Sequence, residues 1–245
     1  MFNTAQSLFV LALCLSLFCA SPVTGQTLDG LKPGHPRLLA DAARFEEIRR
    51  NVADDALAQA WYAELKQRGE EMLDEPVTRY HLRDGRRLLY ESRDVKGRVL
   101  TLAMLHRIEP DERYVARVWA DLAAAAQFPD WNPAHFLDVA EMAFAFAIAY
   151  DWLHEDWTAA QRDVIRAALL EHALRVGQRA YEAGDWWTRS QINWNQVCNG
   201  GLIAGALALA DEEPELAASI VDHAVRTLPL SMDRYEPEGG YDEGP

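Results

Sequence analysis

Lysine is all but missing from this chain. Of 24 basic residues in 245, only Lys32, Lys66 and Lys96 are lysines, and the rest are arginines. An arginine fork suits two-pronged contacts with carboxylates better than a lysine point charge does. Cysteine is also scarce. There are three in the chain, and removal of the apolar N-terminal stretch leaves only Cys198. No internal disulfide is then possible, so stability must come from packing. Cys198 has no histidine close by in sequence and reads as a buried structural thiol, not a nucleophile. A Gly-x-Ser-x-Gly elbow, a Walker loop and a dinucleotide fingerprint are all absent. Positive charge is in deficit: the formal net charge is -14. That excludes a nucleic-acid partner, and a polyanion fits only a cleft that is locally positive. Strand-like alternation of any length is lacking as well, which leaves helices.

No charged side chain precedes Asp29, and Leu8-Phe-Val-Leu-Ala-Leu-Cys-Leu-Ser-Leu-Phe-Cys-Ala20 is apolar throughout. The run is too short for a stable bilayer anchor and reads as a secretory signal peptide, although no Lys or Arg stands near Met1. Cleavage after Gly25 puts Val23 and Gly25 at the small-residue positions. Cys19 is a poor lipoprotein cysteine because bulky Phe18 precedes it. The mature protein is therefore expected to be secreted or periplasmic, with no membrane attachment after cleavage. Residues 26–80 are expected to form an N-terminal helical arm and residues 81–245 the main body.

After a Pro/Gly-punctuated segment, Leu31 to Leu39, Asp41 is placed to cap a helix running to about Val52. A second helix spans about Asp54 to Leu73, with Leu57, Trp61 and Leu65 along one apolar face. Pro76 to Gly85 reads as the loop between arm and body. Arg86 to Arg107 and Asp111 to Gln127 then form a helical pair joined by a tight turn. Ala134 to Trp152 is apolar nearly all round, as a helix buried on every side would be. Its partner opens with a capping box, Thr158 and Gln161, and sets charges against Ile165, Leu169 and Val176. A third pair couples small, apolar Gly200–Ala210 to an amphipathic helix opened by Pro214 and carrying Leu216, Ile220 and Val225. An inner helix, a short turn and an outer helix, repeated roughly every fifty residues, are what an incomplete double-layered ring of helical hairpins requires. The fold class expected is all-α.

Candidate chemistry gathers in Gln191-Ile-Asn-Trp-Asn-Gln-Val-Cys-Asn-Gly-Gly201. Asn193 and Asn195 offer neutral amides able to grip a carboxylate or sugar hydroxyls without adding charge. The bland alternative is a helix cap plus a packed indole. Just before them stands Asp185-Trp186-Trp187-Thr-Arg189. Trp186 and Trp187 provide flat faces for sugar rings or plug the end of the ring, and Arg189 can take a carboxylate in two prongs. His135, Asp138 and Glu141 share one helical stripe. A carboxylate inside an apolar helix needs a partner, so Glu141 is either a buried link to another hairpin or a ligand-facing acid. Three ligands from a single stripe make a poor metal site, and neither metal nor cofactor is expected. The chain ends in Glu236-Pro-Glu-Gly-Gly-Tyr-Asp-Glu-Gly-Pro245, a turn-rich stretch that reads as the end of a truncated protein.

At these residues the sequence resembles the heparinase II/III-like polysaccharide lyases. The matching stretches, in the family's order, are His35-Pro-Arg-Leu-Leu39, Phe128-Pro-Asp-Trp-Asn-Pro-Ala-His-Phe-Leu-Asp-Val-Ala-Glu-Met142, Ala149-Tyr-Asp-Trp-Leu153, Asn193 to Gly201, and Glu238-Gly-Gly-Tyr-Asp-Glu-Gly-Pro245. The resemblance implies an incomplete (α/α) toroid followed by a β-sandwich domain that is missing here. It also implies β-elimination on a uronic-acid polysaccharide such as heparin, heparan sulfate or alginate. In that chemistry an amide or imidazole neutralises the uronate carboxylate, which acidifies the C5 proton, and a tyrosine and a histidine handle the proton steps. By position Asn193 and Asn195 fall on the neutralising motif. The tyrosine is expected just past Pro245, with Tyr241 as second choice, and the histidine in the missing domain, so that the fragment alone would be inactive. Trp186, Trp187, Arg189, Trp194, Glu141, His135 and Glu243 are the expected substrate contacts.

Two other readings compete. A glycoside hydrolase on the same toroid needs two carboxylates across the cleft, and Glu141 with Glu243 is the available pair. A non-catalytic glycan-binding protein would use Trp186, Trp187 and Trp194 as platforms. In each case the partner is a glycan, and nothing in the sequence sets an oligomeric state.

Overall fold

The structure, a computed structural model, describes residues 28–241. The signal stretch with its cleavage point and Glu243 lie outside the described residues. Those described are helical, with no β-strand among them.

Helix α1 (Ala42–Asp54) and α2 (Ala56–Leu73) begin where aspartates can take up their free N–H groups. The Asp41 carboxylate accepts from the Arg44 amide at 2.9 Å, and that of Asp55 from Ala58 at 2.8 Å. The apolar stripe of α2 is largely left in the open, with Leu57 57% and Trp61 65% exposed. What α2 presses inward is Gly69, where an added Cβ would overlap the Leu105 side chain of the following helix.

Three hairpins follow. Helix α3 (Leu89–Ile108) returns as α4 (Glu112–Ala125). Helix α5 (Leu137–Trp152) returns as α6 (Ala159–Leu169), which runs through a π-turn, Leu170–Leu174, into α7 (Arg175–Ala183). Helix α8 (Asn193–Ala208) returns as α9 (Pro214–Thr227), and a single turn, α10 (Pro229–Met232), comes after it. As its composition predicts, α5 is buried on all sides, lying between α3 and α8. The return helices bury one face only: α9 turns Ala217, Ile220, Val221 and Ala224 inward and leaves Val225 exposed. The Thr158–Gln161 capping box forms as expected. The π-turn has no signal in the sequence.

Contacts at the two ends of these helices fix their direction. At one end Asp138, in the first turn of α5, accepts from the Leu88 amide at the start of α3 at 2.6 Å. There too the rings of His135 and Trp194 meet at the starts of α5 and α8. At the other end the Tyr150 hydroxyl donates to Glu212, just past α8, at 2.6 Å. Helices α3, α5 and α8 are thus parallel, with their N-termini on one face. Helix α8 lies so close to α5 that an added Cβ at Gly201 would overlap the Ala140 carbonyl.

Two carboxylates fasten the N-terminal segments to this body. Asp121 of α4 is fully buried and accepts from the Thr78 amide at 2.9 Å, from Arg98 Nε at 2.7 Å and from Arg117 Nη1 at 2.7 Å. The loop expected between arm and body is therefore clamped to α4. Asp151 at the end of α5 accepts from the Leu38 amide at 2.7 Å and from His35 Nδ1 at 2.6 Å. Arg37 donates through Nε to the Leu207 carbonyl at 3.1 Å, a cation set on the last turn of α8. His35-Pro-Arg-Leu-Leu39 is in this way a strap across the C-terminal ends of α5 and α8. No described helix is long and apolar enough to cross a membrane.

Candidate functional site

Three parallel helix N-termini on one face sum their partial positive charges there. The expected site residues distribute unevenly around this face. Helix α8 starts at Asn193, so the asparagine motif lies on the helix itself and not before it. Asn195 faces inward with no exposed surface. Its amide donates to the Trp187 and Thr188 carbonyls at 3.4 and 3.3 Å, and its oxygen accepts from the Ser231 hydroxyl at 2.9 Å. It ties the tryptophan turn and the C-terminal segment to α8 and is not offered to a ligand, contrary to the catalytic role expected of it. Asn199 is likewise internal, accepting from the Tyr181 hydroxyl at 2.5 Å. Asn193, in the first turn, is only partly buried.

The adjacent tryptophans separate in the same way. Trp187 is 2% exposed and stacks on Phe136 with ring centres 4.5 Å apart, so it is a packed core side chain and not a platform. Trp186 is 57% exposed and leans on Trp194 at 4.7 Å, and Trp194 in turn meets His135 edge-on at 4.7 Å. These three rings make a continuous aromatic ledge. Arg189 is exposed, but its Nη2 donates to the Gly184 carbonyl at 2.6 Å, closing the C-terminal end of α7. Glu141 is buried and takes Arg93 Nε at 3.1 Å together with the Lys96 ammonium. It is the link between hairpins, held by α3, and does not face a ligand as an acid. Tyr241 stacks on Tyr235 at 4.8 Å, and the Tyr235 hydroxyl donates to Gln196 in α8 at 3.3 Å, which brings Tyr241 towards the start of that helix.

Beside the ledge is a cleft of about 640 Å³ lined by Leu82, Asp84, Gly85, Arg86, Arg87, Asn132, Ala134 and His135. Arg87 donates through Nε to Asp84 at 2.5 Å. That bond, with the amides of Arg87 and Arg86, draws the Asp84 carboxyl down to about 2. The guanidinium of Arg86 is exposed and has no carboxylate partner among the described residues. Asn132, in the left-handed region at φ 57, donates through Nδ2 to the Arg86 carbonyl at 2.8 Å and to Asp138 at 2.7 Å. His135 Nδ1 meets the other oxygen of Asp138 at 2.6 Å. The cleft thus has two arginines against one aspartate, besides the helix N-termini, in a protein that is strongly acidic as a whole. Such a mouth has the chemistry to hold a carboxylate, and the ledge beside it has the shape to hold a flat ring face.

Sequence reasoning missed Arg86, Asn132, Gln196 and Tyr235. Asn132 had a signal, since Asn before Pro is a residue able to take the left-handed turn. Arg86 had none, being one arginine among many. Cys198 is buried, and burial pushes its thiol well above the ordinary range. No known protein-family model matches the chain, and a search among curated proteins finds no match.

Proposed function

We propose that this chain is the helical part of a polysaccharide lyase, similar to the heparinase II/III-like enzymes, that cleaves a uronic-acid polymer by β-elimination outside the cytoplasm. Its parallel inner helices and antiparallel return helices are then a segment of an incomplete (α/α) toroid. The observation that carries the reading is the exposed ledge of Trp186, Trp194 and His135 beside the Arg86 cleft. A uronate ring lies on the indoles, and its carboxylate turns to Arg86 and the N-terminus of α8. Asn193, at the first position of α8, is the amide proposed to share the carboxylate's charge, because Asn195 is fully buried. Neutralising that charge lowers the cost of the C5 carbanion. A basic group takes the C5 proton, the C5–H electron pair becomes the C4=C5 double bond, and the C4–O bond breaks with its electrons on the oxygen, which is then protonated; Tyr241, stacked on the Tyr235 that donates to Gln196, is the phenol proposed for these proton steps.

The test is to incubate the protein with glucuronate- and mannuronate-containing oligosaccharides and follow the ultraviolet absorbance of the conjugated double bond. Unsaturated product is expected from the whole enzyme of which this chain is proposed to be the helical part, and binding without product from this chain alone. Trp194→Ala and Arg86→Gln should each cut kcat/KM at least about tenfold, the scale on which a desolvated aromatic or arginine anchor contributes. Turnover of neutral oligosaccharides in preference to acidic ones would contradict the reading. A hydrolase is less well supported, because Glu141 is committed to Arg93 and Lys96. Glycan binding without turnover is favoured by one observation, the burial of Asn195, and is the outcome if the whole enzyme gives no product while oligouronates still bind.

A further inference from the structure

At the other end of the helices, away from the Arg86 cleft, the strap His35–Leu39 holds two histidines face to face. The rings of His35 and His154 stack at 4.2 Å with their planes 17° apart, and the Tyr150 ring meets both edge-on. His35 belongs to the strap, and its side chain is buried against Asp151, with Nδ1 at 2.6 Å from the carboxylate. His154 stands in the turn between α5 and α6. The charges around the two rings are unequal. His35 has Asp151 and also Asp211, whose carboxylate lies 4.0 Å from Nε2 and takes Arg37 Nη1 at 2.8 Å. His154 has Glu155 at 3.2 Å, but that side chain is 83% exposed and screened by water. From α6, Arg162 donates to the His154 carbonyl at 3.0 Å, and Arg166 adds a second positive charge near Tyr150, whose hydroxyl is taken up by Glu212. From α3, Arg107 faces Asp151. Burial, with His35 and Arg162 nearby, holds the His154 imidazole below the ordinary range against the pull of Glu155. A base held down in this way binds its proton less readily in the folded chain than in the unfolded one. The stability of the contact is therefore complete above the ordinary imidazole value of about 6.5 and is lost as the pH falls below it.

We propose that the stacked histidines are an acid-sensitive latch: protonation of His154 sets a positive charge against the His35 ring, and the strap lifts from the C-terminal ends of α5 and α8. Asp151 offsets a charge on His35, but no buried carboxylate meets His154, so the second charge is the costly one. The strap is the part that gives. Residues 35–39 belong to no helix, whereas His154 directly follows the buried α5. What holds the strap besides His35 is a short set of bonds: the Arg37 and Leu38 amides on Asp151, Arg37 Nε on the Leu207 carbonyl, and Trp152 Nε1 on the Leu38 carbonyl at 2.8 Å. These bonds join α5 to α8, so release of the strap frees the two helix ends from one another. The latch does not rest on the lyase reading.

Amide hydrogen exchange of the full chain, read by mass spectrometry, tests the latch, because the Leu38 amide is protected through its bond to Asp151. Between about pH 7.5 and about pH 5.5, on either side of the ordinary imidazole value, protection of a peptide covering residues 35–40 should fall at least about threefold after correction for the intrinsic rate. Peptides of α3 and α5 should keep their protection. His154→Phe keeps a stacked ring without a titrating nitrogen, and His154→Gln removes both ring and titration; each should abolish the fall. Where a variant does not fold, the wild-type profile decides. A midpoint below about 6.5 and above the carboxylate range supports the latch, and one near about 4 assigns the release to Asp151 or Asp211 and overturns it. Strap protection that does not change with pH, a fall shared by α5, or a fall that persists in either variant also overturns it.

Discussion

Asn193 and Asn195 are alike in sequence and unlike in the fold because they sit two apart on a helix. At 3.6 residues per turn they point about 200° apart, so they lie on different faces of α8, and only Asn195 is fully buried. Placing the start of α8 at Gly200 hid this, since a pre-helical loop carries no such constraint. Trp186 and Trp187 were undecidable for the same reason: a short 3₁₀ turn, Trp186–Arg189, swings one indole out and the other in. Glu141 and Cys198 were easier. A carboxylate or thiol within a wholly buried helix has few options, and the expectations of a partnered acid and an inert thiol follow from that cost. Burial pushes the Cys198 thiol up, so it should stay protonated throughout the neutral range. A disulfide reagent such as DTNB should leave the native protein unlabelled and react stoichiometrically only after denaturation. Rapid labelling of folded protein would show that α8 opens.

At the scale of elements, helix number, order and the buried or half-buried character of each were legible from periodicity and capping. Asp41 and the Thr158–Gln161 box stand where the sequence places them. The π-turn and the exact approach of helices were not, because those depend on which small residues meet across an interface. Gly200 and Gly201 illustrate the difference. An added Cβ at Gly200 meets nothing within 4 Å, whereas at Gly201 it overlaps the Ala140 backbone. Gly201→Ala should destabilise by about 1–3 kcal/mol, the cost of overpacking. Gly200→Ala should be neutral or stabilising by up to about 1 kcal/mol, since glycine is a poor helix former. Thermal denaturation of the two variants separates them; equal melting temperatures would mean that α5 and α8 do not lie in contact at this point.

For the whole molecule, the decisive property is a contrast between net charge and local field. A formal charge of -14 argues against a polyanion, yet the parallel arrangement of α3, α5 and α8 gathers three positive helix ends with Arg86 and Arg87 on one face. Parallelism is a consequence of the hairpin repeat, which the sequence displays; the gathering of Arg86, His135 and Trp194 needs residues far apart in the chain to be brought together, which no local pattern displays. The most direct measurement is a calorimetric titration of the protein with an oligouronate and with the same oligosaccharide after its carboxyl groups are reduced to alcohols. The acidic form should bind, lose at least about tenfold in affinity on Trp194→Ala, and weaken with salt as an exposed charge contact does. Equal binding of the reduced oligosaccharide, or binding untouched by Trp194→Ala, would contradict an acidic-sugar site at this lip.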